Sequence, residues 1–92
     1  DLKNKKADLL LEAKKSASDT AKCISSGWLE NSFAIYTSEV PEGFMINFAS
    51  DMGGTMAQAY ITKSEPGSII KFTKSNHPFF PGWLEKTVKA CQ

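Results

Sequence analysis

The sequence has few of the residues that form metal and redox sites, and it carries no excess of charge. It contains one histidine and two cysteines in 92 residues, with no Cys-x-x-Cys pair, so zinc and dithiol sites lack ligands. Eleven basic and ten acidic side chains give a net charge of +1, which provides no electrostatic reason to expect nucleic acid as a partner. No apolar run approaches the roughly 18 to 20 residues that span a bilayer. We therefore expect no metal, no cofactor, no nucleic-acid partner and no transmembrane segment.

The sequence also lacks a recognisable catalytic arrangement. His77 can be combined on paper with an aspartate and a serine, but no nucleophile elbow or other local context supports a triad. Glu39 and Glu42 flank a turn, where acidic residues are common because turns are solvated. Gly53 and Gly54 lack the lysine and the following helix of a phosphate loop. We expect a protein that is not an enzyme and has no catalytic residues.

The length predicts one domain over residues 1–92, near the lower limit of what folds alone on a hydrophobic core. The lysine-rich residues 1–8 are expected to fray or to act as a tether. Because the sequence starts at Asp1 and not at methionine, we expect a targeting segment, and any lipid anchor, to precede it in the full-length protein.

A first helix is predicted over residues 2–25, because small and apolar residues recur there at steps of three and four. This stripe consists of Leu10, Ala13, Ala17, Thr20 or Ala21, and Ile24. Gly27 is predicted to end the helix as a C′ glycine, and Trp28 to pack against the helix end just beyond it.

Four strands are predicted after this helix, at residues 32–37, 44–49, 55–62 and 68–73. Short turns join them, including a type II turn with Pro66 and Gly67 at its centre, so the strands form an antiparallel meander. A second helix is predicted from Pro81 or Trp83 to the end. The expected fold is α+β, in the order αββββα, with both helices on one face of the sheet. A sheet curled into a small barrel under one helix is the alternative.

The two cysteines are predicted to form a disulfide. Cys23 lies at the edge of the first helical stripe and Cys91 on the apolar side of the last helix, so two helices packed side by side bring them together. In the chain-entropy model this bond contributes roughly 4 kcal/mol. Two buried free thiols are the alternative. A disulfide implies an oxidising compartment such as the periplasm or the cell exterior.

Four aromatic residues are candidates for binding a partner. Phe79 and Phe80 lie in a loop bounded by prolines, and rigid aromatic side chains are efficient anchors. Alternatively, their rings close one end of the core. Tyr36 and Tyr60 lie near strand centres and are expected on the sheet face away from the helices, together with Met45, Met56 and Gln58. That face suits a binding surface or a dimer interface, although ordinary half-exposed strand residues look similar.

Several short motifs follow one another in a recognisable layout. They are Cys-Ile-x-x-Gly-Trp at 23–28, Gly-Phe at 43–44, Gly-Gly-Thr at 53–55, Pro-Gly-Ser at 66–68, Trp-Leu at 83–84 and Val-Lys-Ala-Cys at 88–91. This layout resembles small uncharacterised lipoproteins and periplasmic proteins of Gram-negative bacteria. The resemblance implies an exported, disulfide-bonded module and assigns no catalytic residue.

The first hypothesis for function is an exported, non-enzymatic protein-binding module of the bacterial envelope, for example an inhibitor or immunity partner of a toxin. The alternative is a structural or accessory envelope lipoprotein that forms a homodimer. A small hydrolase ranks third, because nothing local supports it. The expected location is the periplasm, or the outer membrane if the protein is anchored there.

Overall fold

The computed structural model describes residues 6–49, 54–75 and 81–92, which form an antiparallel sheet and two helices. The elements are β1 (Leu9–Ala13), α1 (Ala17–Leu29), β2 (Ile35–Val40), β3 (Gly43–Ala49), β4 (Thr55–Lys63), β5 (Ser68–Lys74) and α2 (Gly82–Ala90). The strand order across the sheet is β1-β5-β4-β3-β2. The α+β class is confirmed, but the predicted four strands are wrong because the sheet has five.

The additional strand, β1, comes from the segment predicted as the first half of a helix. Leu9, Leu11 and Ala13 alternate towards the core, whereas Leu10 is exposed. β1 pairs antiparallel with β5 along its whole length. The apolar residues of this segment fit both periods. Leu9, Leu11 and Ala13 recur at a step of two, and Leu10, Ala13 and Ala17 at steps of three and four, so periodicity could not separate strand from helix. Pairing with the otherwise unoccupied edge of β5 decided for the strand.

Helix α1 begins where the chain leaves β1. Ser16 is the N-cap, and its Oγ accepts a hydrogen bond from the Asp19 backbone N–H at 3.1 Å. One turn later, the buried Thr20 Oγ1 lies 2.9 Å from Ser68 Oγ on β5, and Ser68 Oγ donates to the Lys15 carbonyl at 3.0 Å. These bonds attach the start of α1 to the start of β5.

Gly27 does not end α1, which continues to Leu29, so the predicted C′ role is wrong. A Cβ atom at Gly27 would lie 2.5 Å from Thr87 Cγ2 of α2. The glycine therefore permits the close approach of the two helices. Trp28, predicted beyond the helix, lies in its last turn and is fully buried.

The predicted meander is confirmed as β2 to β5, with two local shifts. The first predicted strand, 32–37, moves to Ile35–Val40 because Ser32 Oγ accepts from the Ala34 backbone N–H at 3.1 Å, which turns the chain before the strand. Between β4 and β5, Ser64 N donates to Gly67 O at 3.1 Å across a cis Glu65–Pro66 peptide. The turn is therefore centred one residue earlier than predicted.

Both helices contact one face of the sheet. The Trp28 ring packs edge-to-face with Phe72 at 6.3 Å, and the Trp83 ring of α2 packs likewise on Phe48 at 5.6 Å. Both phenylalanines pair with β4 residues two positions apart, so they share that face. The fully buried residues of this core include Ile24, Ile46, Ala57, Ala59, Ile61, Ile70, Leu84 and Val88.

The predicted disulfide is present. Cys23 of α1 and Cys91, the C-cap of α2, are bonded with their Cα atoms 5.9 Å apart. The disulfide joins the two helices one turn away from their contact at Gly27 and Thr87, on the face of the sheet that both helices cover. In the part of the chain that the structure describes, neither helix has the length and apolar character needed to cross a membrane.

Candidate functional site

The sheet presents its second face away from α1 and α2, and this surface is called the helix-free face. Its side chains form three cross-strand rows. The rows are Ser38, Met45, Tyr60, Lys71 and Leu10; Tyr36, Asn47, Gln58 and Thr73; and Val40, Gly43, Thr62, Ile69 and Glu12. Each position on it follows from strand alternation, because neighbouring residues point to opposite faces.

Two of the four predicted partner-binding residues lie together on this face. Tyr36, on the edge strand β2, is 60% exposed, and Tyr60, on β4, is half-buried. Met45 lies between their strands, directly opposite Tyr60. Strand spacing and rise place the two tyrosine Cα atoms about 12 Å apart. The other two predicted residues, Phe79 and Phe80, lie outside the described residues.

Met56, which was expected beside these residues, packs against the core instead. It lies at the end of β4 where the pairing with β3 shifts register after Phe48. A bulge of this kind breaks the regular alternation of side chains. The shift has no clear sequence signal, so the position of Met56 could not be predicted from its neighbours.

The helix-free face is divided into a polar and a more apolar part. Gln58 Nε2 donates to Asn47 Oδ1 at 2.9 Å, and both Gln58 and Thr73 are buried. Among the described residues no buried side-chain nitrogen or oxygen lacks a hydrogen-bond partner. The apolar part contains Met45, Val40, Ile69 and Leu10, of which Leu10 is 70% exposed. Large side chains on a rigid sheet suit contact with another macromolecule.

A second apolar feature lies beside the edge strand β2. Phe33 is 97% exposed and Leu29, at the end of α1, is 48% exposed. Neither exposure was predicted from the sequence. Phe33 was predicted inside a strand, and Leu29 followed the predicted end of the first helix. The composition of residues 29–33 contains no signal that separates an exposed phenylalanine from a buried one.

A cavity of about 750 Å³ lies between the first turn of α1 and the turns that follow β2 and β4. Phe44 and Pro66 form part of its wall, and Glu39, Lys63 and Glu65 contribute charges of both signs. This mixture does not select one class of ligand. Among residues 6–49, 54–75 and 81–92, no group of three or more His, Cys, Asp or Glu side chains is placed to hold a metal ion. His77 lies outside those ranges.

No protein family, curated protein or solved structure matches this chain. The resemblance to small envelope proteins, drawn from the motifs at 23–28 and 83–91, remains a prediction.

Proposed function

We propose that the protein is an exported, non-enzymatic module of the bacterial envelope that binds another protein on its helix-free face. The observation that carries the proposal is that Tyr36, Met45 and Tyr60 lie in two neighbouring rows of that face, with Tyr36 diagonal to Met45 and 60% exposed. Tyrosine buries a large area at a low cost in side-chain entropy. A group of this kind can supply the central contacts of a protein interface.

The core behind this face supports the proposal. β3 and β4 are inner strands, and their opposite sides contribute the fully buried residues Ile46 and Ile61 to the core. The disulfide joins the two helices that cover that layer. A surface held in one conformation before binding loses less entropy when the complex forms. This rigidity favours an inhibitor or an immunity partner of a toxin, which must present a preformed surface.

The disulfide also supports export, because such bonds persist in oxidising compartments. The proposed location is the periplasm or the periplasmic side of the outer membrane. A dimeric accessory protein of the envelope is the second candidate, and the observation that favours it is the edge of β2 with which no element of the described residues pairs.

The binding proposal is tested by capturing the partner and then measuring its affinity. The tagged, disulfide-bonded chain is incubated with an envelope extract of the bacterium that produces it. The captured protein is purified and titrated against Tyr36→Ala, Leu10→Lys and the wild type. We expect to capture a stoichiometric partner. Its Kd should rise about tenfold or more with Tyr36→Ala, which removes an aromatic anchor, and with Leu10→Lys, which places a charge in the contact.

Leu29→Ala is the matched control, because Leu29 is a large exposed residue on α1 and not on the helix-free face. It is expected to bind with the affinity of the wild type. Failure to capture a stoichiometric partner, or wild-type affinity in both face variants, would contradict the proposal.

A further inference from the structure

The two edges of the sheet differ in what covers them. At the β1 edge, Gln92 Nε2 donates to the Glu12 carbonyl at 3.3 Å, and Lys15 Nζ donates to the Gln92 carbonyl at 3.5 Å. Gln92 therefore occupies one backbone carbonyl group of the β1 edge, that of Glu12. At the other edge, β2 has β3 on one side and no described element pairs with it on the other.

The unpaired backbone groups of β2 can be assigned from the hydrogen-bond pattern. Ala49 N donates to the Ala34 carbonyl at 3.0 Å, so Ala34 is bonded towards β3. Bonded and non-bonded residues alternate along an antiparallel strand. The N–H and C=O groups of Ile35, Thr37 and Glu39 consequently point away from β3, towards the open side.

β2 carries few of the features that usually protect an edge strand, and Glu39 is its single charged residue. Its six residues, Ile35–Val40, include no lysine and no proline, and its pairing with β3 shows no bulge. Natural edge strands commonly use these features to prevent strand addition. An unprotected edge next to the exposed rings of Phe33 and Tyr36 is suited to pairing with another strand.

We propose that two copies of this chain associate through β2, antiparallel, about a two-fold axis at Thr37. Residues whose backbone N–H and C=O groups point to the open side must pair with residues of the same kind in the second copy. Only the register that places Thr37 opposite Thr37 pairs all three such residues, Ile35, Thr37 and Glu39. Ile35 then lies opposite Glu39 of the second copy. This pairing forms about six backbone hydrogen bonds. It joins the two five-stranded sheets into one continuous sheet.

The side chains are compatible with this register. Glu39 is the only charged residue of β2, and it faces Ile35 of the second copy, so the two carboxylates stay apart. On the helix-free face, Tyr36 lies opposite Ser38 and diagonal to Tyr36 of the second copy, a distance that aromatic rings can span. Extending the register places Phe33 beside Pro41 of the second copy, which covers a ring that is 97% exposed in one chain.

In this register, association is expected to stop at two copies. Both chains use the same strand, so the interface is isologous and leaves no second β2 edge available. The β1 edge carries Gln92, which hinders addition there. An isologous interface closes, whereas a head-to-tail one can continue into a fibre. We therefore expect a dimer and no higher polymer.

Sedimentation equilibrium over micromolar concentrations tests the dimer with the disulfide-bonded chain. The wild type is expected as a dimer, and Thr37→Lys is expected to raise the dimer Kd about tenfold or more, because it places two ammonium groups opposite each other. The matched control is Leu10→Lys in the other edge strand, which should leave the Kd unchanged. A wild-type monomer throughout the range, or equal effects of the two lysine variants, would overturn the proposal.

Cysteine substitution tests the register. Cα atoms of a hydrogen-bonded pair are about 5.5 Å apart, within the range of a disulfide, whereas residues beyond about 7 Å cannot be bridged. Mild oxidation should therefore cross-link Thr37→Cys chains into a covalent dimer and leave Glu39→Cys chains uncross-linked on a non-reducing gel. Equal cross-linking of both variants, or none in Thr37→Cys, would show that the register is wrong.

The dimer and the proposed partner binding are separable. Thr37→Lys changes the β2 edge, and Leu10→Lys changes the helix-free face at the opposite side of the sheet. A chain that dimerises but binds no partner contradicts only the proposed function. A chain that binds a partner as a monomer contradicts only the dimer.

Discussion

Trp28 connects three elements of the fold through one side chain. Its ring packs edge-to-face on Phe72 of β5 at 6.3 Å, and its Nε1 donates to the Leu84 carbonyl of α2 at 3.1 Å. The side chain is fully buried. A buried indole N–H needs a partner, because an unsatisfied donor costs about 1 to 3 kcal/mol. The backbone of α2 provides that partner.

We expect Trp28→Phe to lower the free energy of unfolding by about 1 to 3 kcal/mol, through the lost hydrogen bond and the space left by the smaller ring. Urea unfolding followed by far-UV circular dichroism measures this change. Trp83→Phe is the control, since Trp83 is half-buried and also packs on a phenylalanine. It should cost less. An equal or larger loss in the control would argue against the importance of the indole hydrogen bond.

At the scale of elements, the contact between α1 and α2 depends on the absence of a side chain at Gly27. Alanine is the better helix former by about 1 kcal/mol, so helix propensity alone favours replacing this glycine. The position of Thr87 Cγ2, 2.5 Å from the Cβ that alanine would add, opposes the replacement. Overpacking of this kind costs about 1 to 3 kcal/mol. The steric effect is expected to exceed the propensity effect.

Gly27→Ala is therefore expected to lower the free energy of unfolding by up to about 2 kcal/mol, the difference between the cost of overpacking and the gain in helix propensity. Adding Thr87→Ser removes Cγ2 and should recover most of the loss. Urea unfolding of both single variants and the double variant forms a double-mutant cycle. Additive effects would show that the two residues do not limit the approach of the helices.

At the scale of the whole molecule, the disulfide restrains most of the chain. Cys23 and Cys91 are 68 positions apart, and the loop between them contains β2 to β5, the second half of α1 and all of α2. The chain-entropy model assigns such a loop about 4 kcal/mol. Total stabilities of small proteins are about 5 to 15 kcal/mol. The bond is therefore a large part of what keeps this domain folded.

We expect the double variant Cys23→Ser with Cys91→Ser to lose about 2 to 5 kcal/mol of unfolding free energy. Thermal and urea unfolding measure the loss, and the reduced wild type should behave like the double variant. An unchanged melting temperature would show that the packing of the helices alone is sufficient and would remove the support for an oxidising compartment.

Much of the fold could be predicted because its signals are local. Phe44, Ile46 and Phe48 alternate and form the core face of β3. Short turns required antiparallel neighbours, and the apolar spacing after Pro81 predicted α2. The candidate site was predictable to the same extent. Strand alternation placed Tyr36 and Tyr60 on the helix-free face, but the exposure of Phe33 and the side of β2 that no described element covers depend on how the sheet is assembled.

By itself, the sequence determined the hairpin strands and the second helix, because each follows from spacing along the chain. The disulfide was predicted from the expected packing of the two helices side by side, and the structure contains it. Tertiary structure decided the identity of β1 and the role of Gly27. The leucines at 9–11 fit a strand and a helix equally well, and the open edge of β5 selected the strand by offering hydrogen bonds to its backbone. Gly27 suits a helix end, but α2 packs so close to it that the glycine is needed inside the helix. Contacts between segments distant in sequence selected one of two locally equivalent conformations in each case.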